Sequence, residues 1–99
     1  MIIMKHLLIL SEYATLSGGE RSMLSTLDAV RRAGFRVSIV SHERGELAEA
    51  VAAAGVELIP WPIEADQRLA SFDLDRRREM IAGTIRRVAP DLVHSNSLS

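Results

Sequence analysis

The chain has 99 residues, 47% apolar and 25% charged, and no cysteine, which bounds it to a single globular domain and excludes disulfide frameworks and thiolate chemistry. Twelve basic residues against thirteen acidic ones leave a formal charge of −1, so the basic excess that general nucleic-acid binding needs is missing. Aromatic side chains make up only 4%, too few for a platform of stacked bases or sugar rings.

The first apolar run covers residues 5–10 and has the continuous character of a strand covered on both faces. Lys5 and His6 interrupt the apolar start, and Ser11, Glu12 and Tyr13 follow where a signal peptide would carry small residues for cleavage. A buried strand and a cytoplasmic location are therefore expected. No window approaches the roughly 18 apolar residues of a membrane span. A loop over 11–19 leads to Glu20-Arg21, which open a helix marked by Met23, Leu24, Leu27 and Val30. Arg31 and Arg32 suit the negative end of that helix, and Gly34 supplies a left-handed stop.

Residues 36–40 read as the second strand. The second helix carries Leu47, Ala50, Val51 and Ala54 and stops at Gly55, repeating the Ala-Gly ending of the first. Residues 56–60 form the third strand, and 61–72 have no period and read as a long loop with Trp61 as a hydrophobic plug. The third helix begins near Asp73, places Leu74, Ile81, Ile85 and Val88 on one face and ends before Pro90, which announces a fourth strand over 91–94.

Strands alternating with helices predict an α/β fold: a Rossmann-like three-layer sandwich with four parallel strands in order 3-2-1-4 and helices on both faces. Parallel sheets want cover on both faces and usually more than four strands. Residues 1–99 are thus expected to be part of such a domain, an amino-terminal piece of something longer.

Ligands of open parallel sheets bind beyond the carboxyl ends of the strands, where the strand order reverses. In the predicted order two unusual segments converge there. One is the loop ending in Gly18-Gly19, followed by Glu20. Paired glycines admit a close ligand and a helix start favours an anion such as phosphate, while a plain turn with Glu20 on the helix dipole accounts for the same residues. The other is His94-Ser95-Asn96-Ser97, polar side chains able to bond sugar hydroxyls or a phosphate, or to form an ordinary polar loop. Dinucleotide and phosphate-loop fingerprints and the hydrolase elbow are missing. His6, His42 and His94 show no metal-ligand spacing. Residues 41–45 read as a solvated turn. The arginine-rich third helix, interleaved with Asp73, Asp75 and Glu79, reads as a solvated face in preference to a peripheral contact with an anionic membrane.

Strand one, then Ser17-Gly18-Gly19-Glu20-Arg21, then residues 32–40, resembles the start of the retaining glycosyltransferases of family 4, two-domain enzymes of the GT-B fold. Gly45-Glu46-Leu47, residues 53–59 and Pro90-Asp91-Leu92-Val93-His94-Ser95 match the same pattern in order, so the resemblance spans nearly the whole chain except 61–75. It implies transfer of a sugar, with retained configuration, from a nucleotide-sugar donor to a sugar or lipid-linked acceptor. The nucleotide-sugar is a co-substrate; no cofactor and no obligatory metal are implied. The amino-terminal domain mainly receives the acceptor, with Gly18 and Gly19 near the donor phosphates, Glu20 as the acidic residue of the loop motif, and His94 and Asn96 on the acceptor side. The donor-binding residues belong to a carboxyl-terminal domain outside these residues, so no catalytic residue is assigned and the segment is expected to be inactive alone. The alternative is a non-catalytic α/β ligand-binding or interaction module. A receiver-like domain would need acidic residues at the ends of strands one and three, and Pro60-Trp61-Pro62 offers none there.

Overall fold

A computed structural model describes residues 4–11, 16, 18–61 and 74–96. The elements are β1 (Lys5–Leu10), α1 (Gly18–Arg32), β2 (Phe35–Ser41), α2 (Glu46–Ala53), β3 (Glu57–Pro60), α3 (Leu74–Val88) and β4 (Leu92–Ser95). The four strands form one parallel sheet in the order β3-β2-β1-β4. Each crossover thus passes through a helix, as the alternating pattern requires.

Strand alternation separates two cores. Ile9, Val37 and Ile39 point to the side where Met23 and Leu27 of α1 and Leu47 and Val51 of α2 cover them. Leu8 and Val40 point the other way, to Trp61 and to the Met80, Ile81, Ile85 and Val88 face of α3. The result is the expected three-layer sandwich. The Trp61 side chain is buried in that core and so plugs it, while its backbone N–H donates to the Ser41 carbonyl (3.0 Å).

Several boundaries move for identifiable reasons. α1 opens at Gly18, so Gly18 and Gly19 belong to its first turn and the preceding connection is shorter than 11–19. β3 starts one residue late because Val56 turns into the α1/α2 core, while its N–H donates to the Val51 carbonyl (3.2 Å). β4 runs from 92, since Asp91 clamps the strand start instead: its carboxylate accepts from the His6 N–H (2.7 Å) and its own N–H donates to the His6 carbonyl (2.9 Å). Gly34 and Gly55 take left-handed φ values of 97° and 69°, the conformation that ends α1 and α2. In α3 the same place is taken by Ala89 at φ 50°. The start expected near Asp73 and the loop over 61–72, apart from Trp61, lie outside the described residues.

Candidate functional site

The chain moves from β1 to β2 to β3 on one side and returns to place β4 on the other, so the order reverses between β1 and β4. Hydrogen bonding continues one residue past the strands here. The Ser11 N–H donates to the Val40 carbonyl (2.9 Å) and the Asn96 N–H to the Leu10 carbonyl (2.8 Å). Because Leu10 pairs with Ser95, Ser11 and Asn96 come next to each other on adjacent strands. Ile9 and its partner His94 face α1, and two residues on, Ser11 and Asn96 occupy the same face.

A groove of about 670 Å³ lies between α1 and β4. Its lower part is apolar: Leu7 and Ile9 of β1 and Leu92 of β4 meet Met23, Leu27 and Val30 of α1. Its upper end carries Gly19, His94 and Asn96, with Ser22 and Thr26 along the helix side. The helix start and the polar tail of β4 therefore share one groove. Thr26 donates to the Met23 carbonyl (2.7 Å), keeping its hydroxyl on its own helix.

The six residues singled out in the sequence separate by position. Gly19, His94 and Asn96 line the groove. Gly18 has no left-handed φ, and a Cβ placed on it meets nothing within 4 Å among the described residues, so neither its backbone conformation nor packing against those residues requires glycine there. Glu20 is only 4% exposed, with its carboxylate in the first helical turn, where the helix dipole favours it. Ser95 pairs with Leu10, whose neighbours are on the α3 side, and so faces away from the groove.

Two features escape a reading of the sequence. Ser11 is fully buried, and its Oγ has no hydrogen-bond partner among the described residues; the same holds for the Asn96 Nδ2. On the opposite face a polar ladder crosses three strands. Ser38, fully buried in β2, donates to the Glu57 carboxylate in β3, so its oxygen accepts from the Nε2–H of His6 in β1 (2.7 Å). Arg36 Nη2 lies 3.3 Å from the same carboxylate. The Ser38 hydroxyl, followed by the Arg36 guanidinium and His6, holds the Glu57 carboxyl below the usual carboxylate range against an opposing push from burial. Only register brings these residues together, which is why no motif announces them. This ladder lies on the opposite face of the sheet from the groove and begins at the other end of β1 from its polar end, and Ser38 is sealed inside it.

Among the described residues no three His, Asp or Glu side chains come together as a metal site, and no helix is long and apolar enough to cross a membrane. No family model matches the chain, and no curated protein matches it. Among solved structures it is similar to a crystal structure of a glycosyltransferase from Rickettsia africae ESF-5, with a TM-score of 0.69 and 21% identity. The match covers 97% of this chain and 24% of that one, so the chain spans about a quarter of the length of the structure it resembles. What the two share is the fold.

Proposed function

We propose that this chain is the acceptor-side part of a retaining, GT-B, family 4 glycosyltransferase, whose donor-binding domain is carried by further polypeptide. The observation that carries this reading is the shared groove: Gly19 at the start of α1 and His94 and Asn96 at the end of β4 meet at the reversal of strand order. Open parallel sheets hold their ligands at this location. The likeness to one quarter of a glycosyltransferase supports the same reading, and so do the ordered motifs from Ser17 to Ser95. In this role His94 and Asn96 line the acceptor side, Gly18 and Gly19 lie near the phosphates of the donor, and Glu20 is the acidic residue of the helix start. A second domain would face the groove, carry the nucleotide-sugar and supply the reacting groups absent here.

The test is transfer by the protein encoded by the complete reading frame. Release of nucleotide from one member of a sugar-nucleotide panel, dependent on an acceptor and retaining the anomeric configuration, is the expected result. The 99-residue chain alone should release none. If no donor and acceptor pair is turned over, or the reading frame carries no second α/β domain, the chain is a binding module that reuses the fold.

A further inference from the structure

We propose that α3 carries a phosphate-binding site on the face of the sheet away from the groove, where the guanidinium groups of Arg86 and Arg87 together take the phosphate of a phosphorylated compound. The inference is independent of the sugar-transfer reading, since it uses no residue of the groove.

A cavity of about 640 Å³ opens beside α3, and the described residues lining it are Met80, Gly83, Arg86 and Arg87. Both arginines belong to the last turn of the helix, where the dipole favours positive charge. Their side chains do not stay at that end. Arg87 reaches back one turn, and its Nη2 donates to the Thr84 hydroxyl (3.1 Å). Arg86 does the same, with its Nη2 only 3.8 Å from where a Cβ on Gly83 would stand. The helix dipole thus accounts for the sign of these charges but not for their direction.

The two charges are also uncompensated. In α1, Arg21 and Arg31 donate to backbone carbonyls and Arg32 to the Asp28 carboxylate (2.8 Å). Among the described residues Arg86 and Arg87 meet no carboxylate, and the exposed Glu79 of the same helix pairs with neither. Two guanidinium charges lining one cavity repel each other, and an anion between them turns that repulsion into attraction.

The surroundings prepare the pair. Thr84 is 2% exposed and its hydroxyl donates to the Met80 carbonyl (3.2 Å), which leaves its oxygen to accept from Arg87. A buried anchor reduces the rotamer freedom that Arg87 would lose on binding. Gly83 has no left-handed φ, and among the described residues a Cβ there meets only Arg86 Nη2, so glycine is not required by the fold. Glycine inside a helix is destabilising, and what it provides here is open space beneath the Arg86 guanidinium.

These features select the ligand. A phosphate monoester carries a charge of about −1.5 to −2 at neutral pH and three acceptor oxygens, and each guanidinium presents a planar fork of donors to them. A carboxylate would satisfy one guanidinium and leave the other without a partner. The cavity is larger than a bare phosphate, which leaves room for the group that bears it. A soluble phosphorylated compound and the headgroup of a lipid present the same chemistry.

The experiment follows the arginine Nε–H signals of the ¹⁵N-labelled 99-residue chain by NMR, with inorganic phosphate and, at matched ionic strength, sodium chloride as titrants. Phosphate should move the Arg86 and Arg87 signals saturably, chloride should not, and Arg32, held by Asp28, should respond to neither. Arg86→Gln, at an exposed position, should weaken the Arg87 response about tenfold. Gly83→Leu keeps both charges and fills the space beneath them. It should weaken the response to a similar degree and leave the melting temperature unchanged or higher, because leucine is the better helix former; if it melts lower, Arg86→Gln decides alone. Sedimentation with phosphatidylcholine vesicles, with and without phosphatidic acid, separates the two sources. Binding to the phosphatidic acid vesicles that inorganic phosphate displaces and Arg86→Gln abolishes assigns the site to a headgroup. A phosphate response without vesicle binding assigns it to a soluble compound. No saturable response to phosphate would overturn the proposal, and so would a response that Arg86→Gln leaves intact. Vesicle binding that chloride removes as readily as phosphate would also overturn it, as the mark of a diffuse surface charge.

Discussion

β2 and β4 are both parallel partners of β1, yet they inhabit different environments. From Val37 to Ser41 every residue of β2 is buried, with Ser38, Ile39 and Ser41 at 0% exposure. Every residue of β4 is exposed, including Leu92 at 52% and Val93 at 44%. Parallel strands normally carry cover on both faces. The sheet therefore has a packed body centred on β1 and β2 under α1, α2 and α3, a half-buried edge at β3 and an open flank at β4. The groove sits on the boundary between body and flank. Its floor is built by the body, while His94 and Asn96 at its upper end come from the flank. Under the proposed function, rigidity and recognition are supplied by different parts of the chain.

The sharpest way to break this contrast is to shorten one apolar side chain in each region. Ile39→Ala removes methyl and methylene groups from a site with no solvent access and should cost about 2–5 kcal/mol, read as a fall in the urea midpoint. Leu92→Ala, half-exposed, should change stability by no more than about 0.5 kcal/mol. Amide exchange offers an independent check. Protection in β2 should follow global unfolding, whereas β4 should open locally. Equal costs, or equal protection, would mean that the flank is as well packed as the body.

A smaller effect concerns the joint between body and flank. α1 and α2 end on left-handed glycines, but α3 ends on Ala89 at φ 50°, directly before Pro90 and the start of β4. A Cβ in that region is disfavoured, and glycine removes the penalty at the expense of a more flexible unfolded chain. Ala89→Gly should stabilise the protein by about 0.5–1 kcal/mol. A fall in melting temperature would show that Ala89 is held by its surroundings at no cost.

Much of the body is legible in the sequence because its signals are local. Continuous apolar runs mark strands covered on both faces, and the Ala-Gly endings at 33–34 and 54–55 place two helix stops. Right-handed crossovers then leave few strand orders, 3-2-1-4 among them. Ala89 gives no such signal, because alanine ordinarily continues a helix. Gly18 and Gly19 look like a turn, and their helical conformation depends on what packs around the start of α1. The site is only partly legible for the same reason. His94 and Asn96 stand out as polar residues at a strand end, but the side each faces follows from parity within β4, which separates Ser95 from both. Ser11 gives no chemical cue at all, since its burial arises from packing of the sheet end. The His6–Ser38–Glu57 ladder is set by pairing register between three strands, a long-range property that periodicity does not encode.

That ladder also gives the smallest and most selective test of the packed body. The Ser38 hydroxyl, the Arg36 charge and His6 lower the Glu57 pKa, so the ionised carboxylate is favoured more in the folded chain than in the unfolded one. Its contribution is complete above the unfolded value of about 4.3 and is lost as pH falls through the lower folded value. With the Glu57 side chain 51% exposed, solvent and salt screen the interaction, and the effect should not exceed about 0.5 kcal/mol. Glu57→Gln keeps an oxygen that accepts from Ser38 and removes only the charge. Wild type should therefore be slightly more stable than the variant at pH 6, and the gap should close as pH falls toward 3. High salt should narrow it at pH 6. A gap that persists in acid would assign the difference to packing around Glu57, and a gap that widens would reverse the sign argued from the ladder. Because β4 pairs with β1 and is clamped there by Asp91, while Glu57 lies in β3 at the opposite edge of the sheet, exchange at the flank should be unchanged by the substitution, which separates this effect from the opening of β4.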